Sequence, residues 1–455
     1  MASSKQVVGN PTPRVEGELK VSGEAVYAVD VTRPGMVWGK LLRSPIASGR
    51  IKRIDASKAL ALNGVRAVVT GEDCAGLKIG RRLYDMPILA DGEVRFVGEK
   101  VAAVAADTEL IAEEAVNLIE VEYEETEPIL DPVEAMKPGA KLIHPDVMTY
   151  KGLPKPLKEP TNDFIYITWG RGDIETGFRQ ADIIVENTFT TPVVHHSYIE
   201  PHSCVVDTAQ DGSAQFWSCS KVPYGVREQV ANALKLVQEK WTFNPVYIGG
   251  DYGGKGDFMD LAVVYLLSKK AGRAVKLVMD YEEEFMAGNP RHASIVHVKT
   301  GVKKDGTLVA QHLNFIFDSG AYGAFKPNAF LNGPHLSAGP YNVPHVFIEE
   351  HMVYTNKIPC GHMRSPGDPQ GFFANESQMD LVAKKLGMDP IKFRQKNFMH
   401  DGDIDPTGEE ISYIKTDETL KKALEDAGYH RPKAKNVGRG VGLVQGTPAG
   451  GIGTV

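Results

Sequence analysis

The sequence predicts an α+β protein, a compact N-terminal α/β unit followed by a mixed α/β second domain. Three observations predict it. Up to about residue 125, short strand-like runs alternate with turns around one amphipathic helix. From about 126 to 165 the text turns Pro-rich and loses periodicity, in EPILDPVEAMKPGA and KGLPKPLKEPTND. From about 166 onward strands, turns and helices follow in mixed order, without a short repeat or a low-complexity tract.

In the first unit, MVWGKLLRS and VRAVVTG read as strands. The helix TELIAEEAVNLIEVEY carries Leu110, Ile111, Ala115, Val116, Leu118 and Ile119 at three-and-four spacing, with Glu113 and Glu114 opposite, so one stripe should pack on a sheet. The Pro-rich stretch reads as a linker, because Pro removes a backbone donor and holds the preceding residue extended. In the second domain DIIVENTFTT, AVKLVMDY and LNFIFDSG read as strands, and VREQVANALKL and ESQMDLVAKKLG as helices.

The chain has 455 residues, 42% hydrophobic and 24% charged, which excludes the disordered and fibrous classes and suits two or more packed domains. The net charge of -7 is spread along the chain without a Lys/Arg run, so nucleic acid is not an expected partner. MASSKQVVGNPTPRVEG has no basic stretch followed by an apolar run, and no segment is apolar for long enough to cross a bilayer. The expectation is a cytoplasmic protein without a membrane partner. Cys74, Cys204, Cys219 and Cys360 are too scattered for zinc or iron–sulfur ligation and read as buried, reduced side chains.

The chemistry concentrates in GGDYGGKGD, Gly249 to Asp257, between the strand-like PVYIGG and an apolar run that Gly272 can cap as a helix. Its glycines allow positive φ and close approach to a ligand, and N–H groups at a helix start favour an anionic or oxo group. It matches neither G-x-G-x-x-G nor the P-loop pattern, so a plain strand-to-helix turn is the other reading. CGHMRSPGDPQGFFANESQMD places Arg364 in a Pro/Gly-rich loop before a helix expected to hold Glu376 in its first turn; alone, Arg364 reads equally as a surface ion pair. DSGAYGAF, Asp318 to Phe325, is another small-residue turn beside a strand. His195, His196 and His202 match no zinc spacing and read as structural.

Together these segments resemble, in order, the GGGFGGK, D-x-GAY and R-G-x-G-x-PQ patterns of the xanthine dehydrogenase/aldehyde oxidase family, the molybdenum hydroxylases. VSGEAVYAVDVTRPGMVWGKLLRSPIASGRIKRIDASKAL, VRFVGEKVAAVAADT, HHSYIEPHSCVVD and GNPRHASIVHVKTGVKKDGTL are similar to further family segments. The resemblance implies an α/β hammerhead domain over 1–125, a linker over 126–165 and the N-terminal half of a molybdopterin-binding domain over 166–455. It also implies a molybdenum–molybdopterin cofactor, in its plain or cytosine dinucleotide form, that oxidises C–H bonds with water as the oxygen source.

Carried over residue by residue, Gly249, Gly250, Gly253, Gly254 and Tyr252 form the cofactor-facing turn. Tyr252 replaces the family's Phe, whose backbone N–H contacts an oxygen on molybdenum. Arg364 matches the loop Arg beside the metal site, and Glu200 a Glu-Pro position used in packing. Gly256 and Pro366 belong to the substrate pocket, where purine-oxidising members have a substrate-binding Glu and a ring-stacking Phe; both departures count against purine. Ser365 replaces the Cys of carbon-monoxide-oxidising members, which counts against a copper–molybdenum site. Lys221, in FWSCSKVPYGVREQV, takes the place of a Gln that bonds an oxygen on molybdenum, and it donates but cannot accept; its other reading is a surface lysine.

Members with a complete large subunit continue through a GQG segment to a terminal Gly-Glu, whose Glu is the general base. The resemblance therefore implies a second molybdopterin-binding chain carrying that Glu, in a naturally split subunit, with a fragment as the other reading. Without cluster cysteines or a flavin fingerprint here, [2Fe–2S] and FAD are expected on partner subunits. The expected reaction is oxidation of an N-heteroaromatic or aldehyde. A reductive or hydratase activity and a non-catalytic assembly role are the alternatives.

Overall fold

A computed structural model describes residues 11–326 and 330–445. The leader reading of residues 1–10 and the end at Val455 lie outside it. A seven-stranded sheet runs in the order Trp241–Asn244, Ala214–Ser218, Ser203–Thr208, Val275–Val278, Val37–Arg43, Lys100–Ala106 and Val65–Thr70. Strands from both sides of the Pro-rich stretch thus share one sheet, joined where Val37 pairs in parallel with Val275. The Pro-rich stretch itself carries a short helix, Pro132–Ala135, capped by the Asp131 side chain.

The strand Lys100–Ala106 is buried at every position, which its sequence KVAAVAA explains. Ala102 and Val104 face one cluster with Ala115 and Val116 of the helix Glu109–Asn117. Ala103 and Ala105 face the other, with Leu261, Val264 and Leu267 of the helix Leu261–Ala271. Small side chains on alternate faces let helices close on both sides.

The predicted stripe of the first helix is corrected. Leu110 is 76% exposed, and the packed residues are Ala112, Ala115 and Val116. The helix ends at Asn117, and Glu120–Glu125 forms a strand paired with Gly49–Asp55, because EVEYEE alternates with a period of two.

A second, five-stranded sheet runs Ile183–Thr191, Ala293–Val302, Leu308–Gly320, His345–Tyr354 and Asp163–Arg171. Across it lies the helix Asp368–Leu386, with Pro369 in its first turn and Gly387 in the left-handed conformation at its end. Asp368, not Glu376, is therefore the first-turn acid. Glu376 lies two turns in and is buried, accepting hydrogen bonds from Tyr341 Oη (2.7 Å), Arg394 Nε (2.9 Å) and the Leu443 N–H (3.0 Å). The four cysteines are buried and unpaired.

Arg394 is wholly buried on Glu376 and also donates to Asp380 at 2.7 Å. Arg394→Met strands the Glu376 carboxylate in the core. Chemical denaturation should show a loss of about 3–5 kcal/mol, against much less for a variant of an exposed pair such as Lys422–Asp426.

Candidate cofactor-facing site

The strand before the glycine turn ends at Asn244, with one further bridge from Tyr247 to Tyr27. The helix after it starts only at Leu261, beyond a 3-10 turn at Gly254–Gly256. Helix N-terminal donors are therefore not what this turn presents, contrary to the sequence expectation. Positive φ at Gly250 (105°), Tyr252 (46°) and Gly253 (112°) folds the backbone back on itself.

The turn wraps its own anion. Asp251 Oδ2 accepts from Gly253 N (2.9 Å) and Lys221 Nζ (2.8 Å), and Oδ1 accepts from Lys255 N (2.8 Å). Burial raises the Asp251 pKa, but the Lys221 ammonium and these two N–H groups outweigh it and hold the carboxyl below its ordinary value. Gly254 N donates to the Asp251 carbonyl at 2.8 Å. Among the described residues the Tyr252 N–H meets no acceptor, and Tyr252 is 54% exposed.

Beneath the turn, Lys255 is fully buried, with Nζ on Glu200 Oε2 (2.6 Å) and on the Glu200 carbonyl (2.7 Å). The same Oε2 accepts from Gly249 N at 2.6 Å. Glu200 thus binds both ends of the turn, more than the packing role expected of it. A Cβ at Gly249 would lie 2.6 Å from that of Glu200, and one at Gly253 would lie 2.6 Å from the His362 carbonyl. Neither position admits a side chain.

Tyr252 and Arg364 are brought together, the Arg364 N–H donating to the Tyr252 carbonyl at 2.7 Å. Arg291 clamps that loop, its guanidinium donating to the carbonyls of Arg364 (2.7 Å) and Ser365 (3.1 Å), with Ser365 at φ 57°. The Arg364 side chain is exposed and meets no carboxylate among the described residues. Lys221 also joins the turn through its backbone, its N–H donating to the Lys255 carbonyl at 2.9 Å. Pro366 is tied elsewhere, accepting from Gly333 N at 3.0 Å.

Gly256 does not open onto empty space. A Cβ there would sit 2.9 Å from Arg81 Nη1 and 3.4 Å from Lys221 Cε. Arg81 is held by its backbone N–H on the Ala324 carbonyl of DSGAYGAF (2.8 Å) and by its side chain on Asp257 (3.3 Å). Burial pushes the Asp257 carboxyl up to about 6.

Two of the three histidines meet on one carboxylate, His195 Nε2 lying 3.5 Å from Glu284 Oε2 with its ring 5.8 Å from that of His196. His202 Nδ1 lies 2.9 Å from Glu284, which also accepts from Tyr198 Oη at 3.2 Å. His196 Nε2 donates to the His362 carbonyl at 2.9 Å. Arg81, Asp251, Arg291 and His362 were not singled out in the sequence. An Asp within a glycine-rich turn is a legible signal; the others come from distant segments and carry none.

Lys255→Met leaves Glu200 buried without its cation, so denaturation should report a loss of about 3–5 kcal/mol, while Lys221→Met, whose lysine is 37% exposed, should cost under about 1 kcal/mol. A loss of equal size in both would contradict this division. Burial also lowers His196 and His362 to about 4. The folded chain therefore refuses protons that the unfolded chain accepts below about pH 6.5, and stability falls as pH drops from there towards 4. Thermal melts across that window should show the fall reduced in His196→Gln by one proton, about 1.4 kcal/mol per pH unit at most.

The molybdopterin cofactor-binding domain model matches residues 157–398, and the aldehyde oxidase and xanthine dehydrogenase a/b hammerhead domain model matches residues 22–127. The chain is 33% identical over 444 residues to a probable xanthine dehydrogenase subunit from Bacillus subtilis, covering 97% of this chain and 58% of that protein. It is 34% identical over 439 residues to the nicotinate dehydrogenase large molybdopterin subunit of Eubacterium barkeri, covering 95% of this chain and 100% of that one. Its fold superposes on CO dehydrogenase from Oligotropha carboxidovorans with a TM-score of 0.87 at 28% identity, over 93% of this chain and 54% of that one. With the hammerhead unit and the glycine-turn domain both matched, the chain belongs to the xanthine dehydrogenase/aldehyde oxidase family of molybdenum hydroxylases.

Proposed function

We propose that this chain is the N-terminal half of the molybdopterin-binding large subunit of a molybdenum hydroxylase that oxidises a C–H bond of an N-heteroaromatic or aldehyde, with water as oxygen donor. The observation that carries the reading is the Tyr252 N–H, at positive φ on a half-exposed residue and without an acceptor among the described residues, on a turn whose remaining geometry is braced by Asp251 and Glu200. An unpaired N–H on a half-exposed residue fits a cofactor oxygen, and the glycines at 249, 250 and 253 fit close approach of a bulky group. When bound, the cofactor supplies the two-electron oxidation of the C–H bond.

The residues of this chain hold and orient. Tyr252 donates its N–H towards the cofactor, and the loop of Arg364 and Ser365, clamped by Arg291, forms the neighbouring edge. Lys221 fixes Asp251. That structural task favours the oxidative reading over the reductive or hydratase one, which Lys221 in the family's Gln position had kept open. Gly256 in place of a substrate-binding Glu argues against purine, and Ser365 in place of a Cys argues against copper. The Eubacterium barkeri relative, named for nicotinate and matched over its whole length, supports both an N-heteroaromatic substrate and a split subunit. The second chain brings the general-base Glu, and [2Fe–2S] and FAD subunits carry the electrons away.

Purified with its partner subunits, the complex should contain about one molybdenum per copy of this chain and incorporate oxygen-18 from labelled water into product. Turnover with the label absent from product would sink the hydroxylase reading, and a complete complex without molybdenum would leave an assembly subunit.

A further inference from the structure

Where purine-oxidising relatives have an acidic side chain, at Gly256, this chain builds a basic wall instead. Arg81 Nη1 and Lys221 Cε occupy the space a side chain at 256 would fill, 2.9 and 3.4 Å from its Cβ position. The two cations come from different parts of the fold. Arg81 arrives from the N-terminal unit, its backbone N–H held on the Ala324 carbonyl; Lys221 sits in the turn before the helix Pro223–Leu234.

The carboxylate that pairs with Arg81 is enclosed, while the one that pairs with Lys221 shares its partly exposed position. Asp257 is wholly enclosed behind Arg81, whose side chain retains 17% exposure. Asp257 is also satisfied by Asn289 Nδ2 at 2.6 Å. A guanidinium has five N–H donors in a planar fork. Among the described residues the Arg81 side chain spends a donor only on Asp257, so most of the fork has no protein acceptor. Lys221 spends its ammonium on Asp251 and is 37% exposed beside it. The free donors of the wall are therefore those of Arg81, whose acceptor is enclosed, whereas the partner of Lys221, Asp251, is itself 22% exposed. A planar fork with a free edge suits a carboxylate, which accepts two parallel N–H bonds.

We propose that the substrate is an N-heteroaromatic ring bearing a carboxylate, anchored by the free edge of Arg81 with Lys221 beside it, Arg81 acting as a specificity-determining residue. This rests on the reading that Gly256 borders the substrate. An aldehyde or an uncharged heterocycle would leave the same donors facing apolar surface and would bind more weakly.

The test is calorimetric binding to the purified multi-subunit complex, with pyridine-3-carboxylate and pyridine-3-carboxamide as probes and molybdenum content measured on the same samples. The carboxylate should bind about tenfold or more tighter than the amide, as expected for a charge-assisted bidentate pair. Arg81→Met should remove that preference by weakening the carboxylate alone, and Arg81→Lys should restore part of it. Thermal melts of Arg81→Met separate lost recognition from a disturbed Asp257, because a structural fault weakens both probes together. Equal binding of the two probes, or equal loss for both in Arg81→Met, overturns the proposal. So does loss of cofactor in Arg81→Met, which would put Arg81 on the cofactor's own phosphate. Absence of molybdenum from the wild-type complex defeats the hydroxylase reading whichever probe binds; molybdenum present with no carboxylate preference defeats only this inference.

Discussion

The Lys255 side chain is completely buried, and the Glu200 carboxylate 2.6 Å away makes that tolerable. Removing two ions from solvent costs several kcal/mol each, a cost offset only when the geometry is tight and the remaining lone pairs are used. Here they are used. Glu200 Oε2 serves both the Lys255 ammonium and the Gly249 N–H, so the two ends of the glycine turn are pinned to one carboxylate group. The Tyr198 ring, 4.7 Å from the ammonium, closes the same space. Everything on the open side of the turn inherits its position from this pair.

Above it, Asp251 performs the task that a bound phosphate performs in other glycine-rich loops. Its carboxylate takes up N–H groups that would otherwise point at a ligand. What is left over is specific: a Tyr252 N–H without an acceptor among the described residues and the loop of Arg364 bonded to the Tyr252 carbonyl. A turn that has already satisfied its own charge presents single donors with defined direction, which suits a neutral or oxo edge of a cofactor better than a diffuse anion-binding cradle.

The wall beside Gly256 depends on longer connections. DSGAYGAF begins as the end of the strand Leu308–Gly320 and turns beyond it, and its Gly323 N–H and Ala324 carbonyl grip Asp85 and Arg81 of the N-terminal unit. Its Tyr322, completely buried, bonds Glu99 of the same unit. The seven-stranded sheet makes this possible, because strands from before and after the Pro-rich stretch lie in one layer. The hammerhead unit is thus part of the site, supplying a guanidinium to it.

Much of this was legible in order along the chain. Period-two runs marked the strands, the glycines marked the turn, and Gly272 and Gly387 end their helices in the left-handed conformation that only glycine adopts readily. The reading failed where a local pattern had two outcomes. Leu110 fits a helical stripe but falls on its solvent side, and Glu376, expected in a first turn, lies two turns in as a buried acceptor for Tyr341 and Arg394. By itself the sequence determined the elements, the positive-φ turn and the family, because these follow from side-chain size, periodicity and backbone freedom over a few neighbouring residues. Only the tertiary structure decided which charges meet. Arg81 reaches Asp257 across 176 positions of sequence and Lys255 reaches Glu200 across 55, and no local rule relates residues whose contact is set by how two sheets and their connecting turns pack.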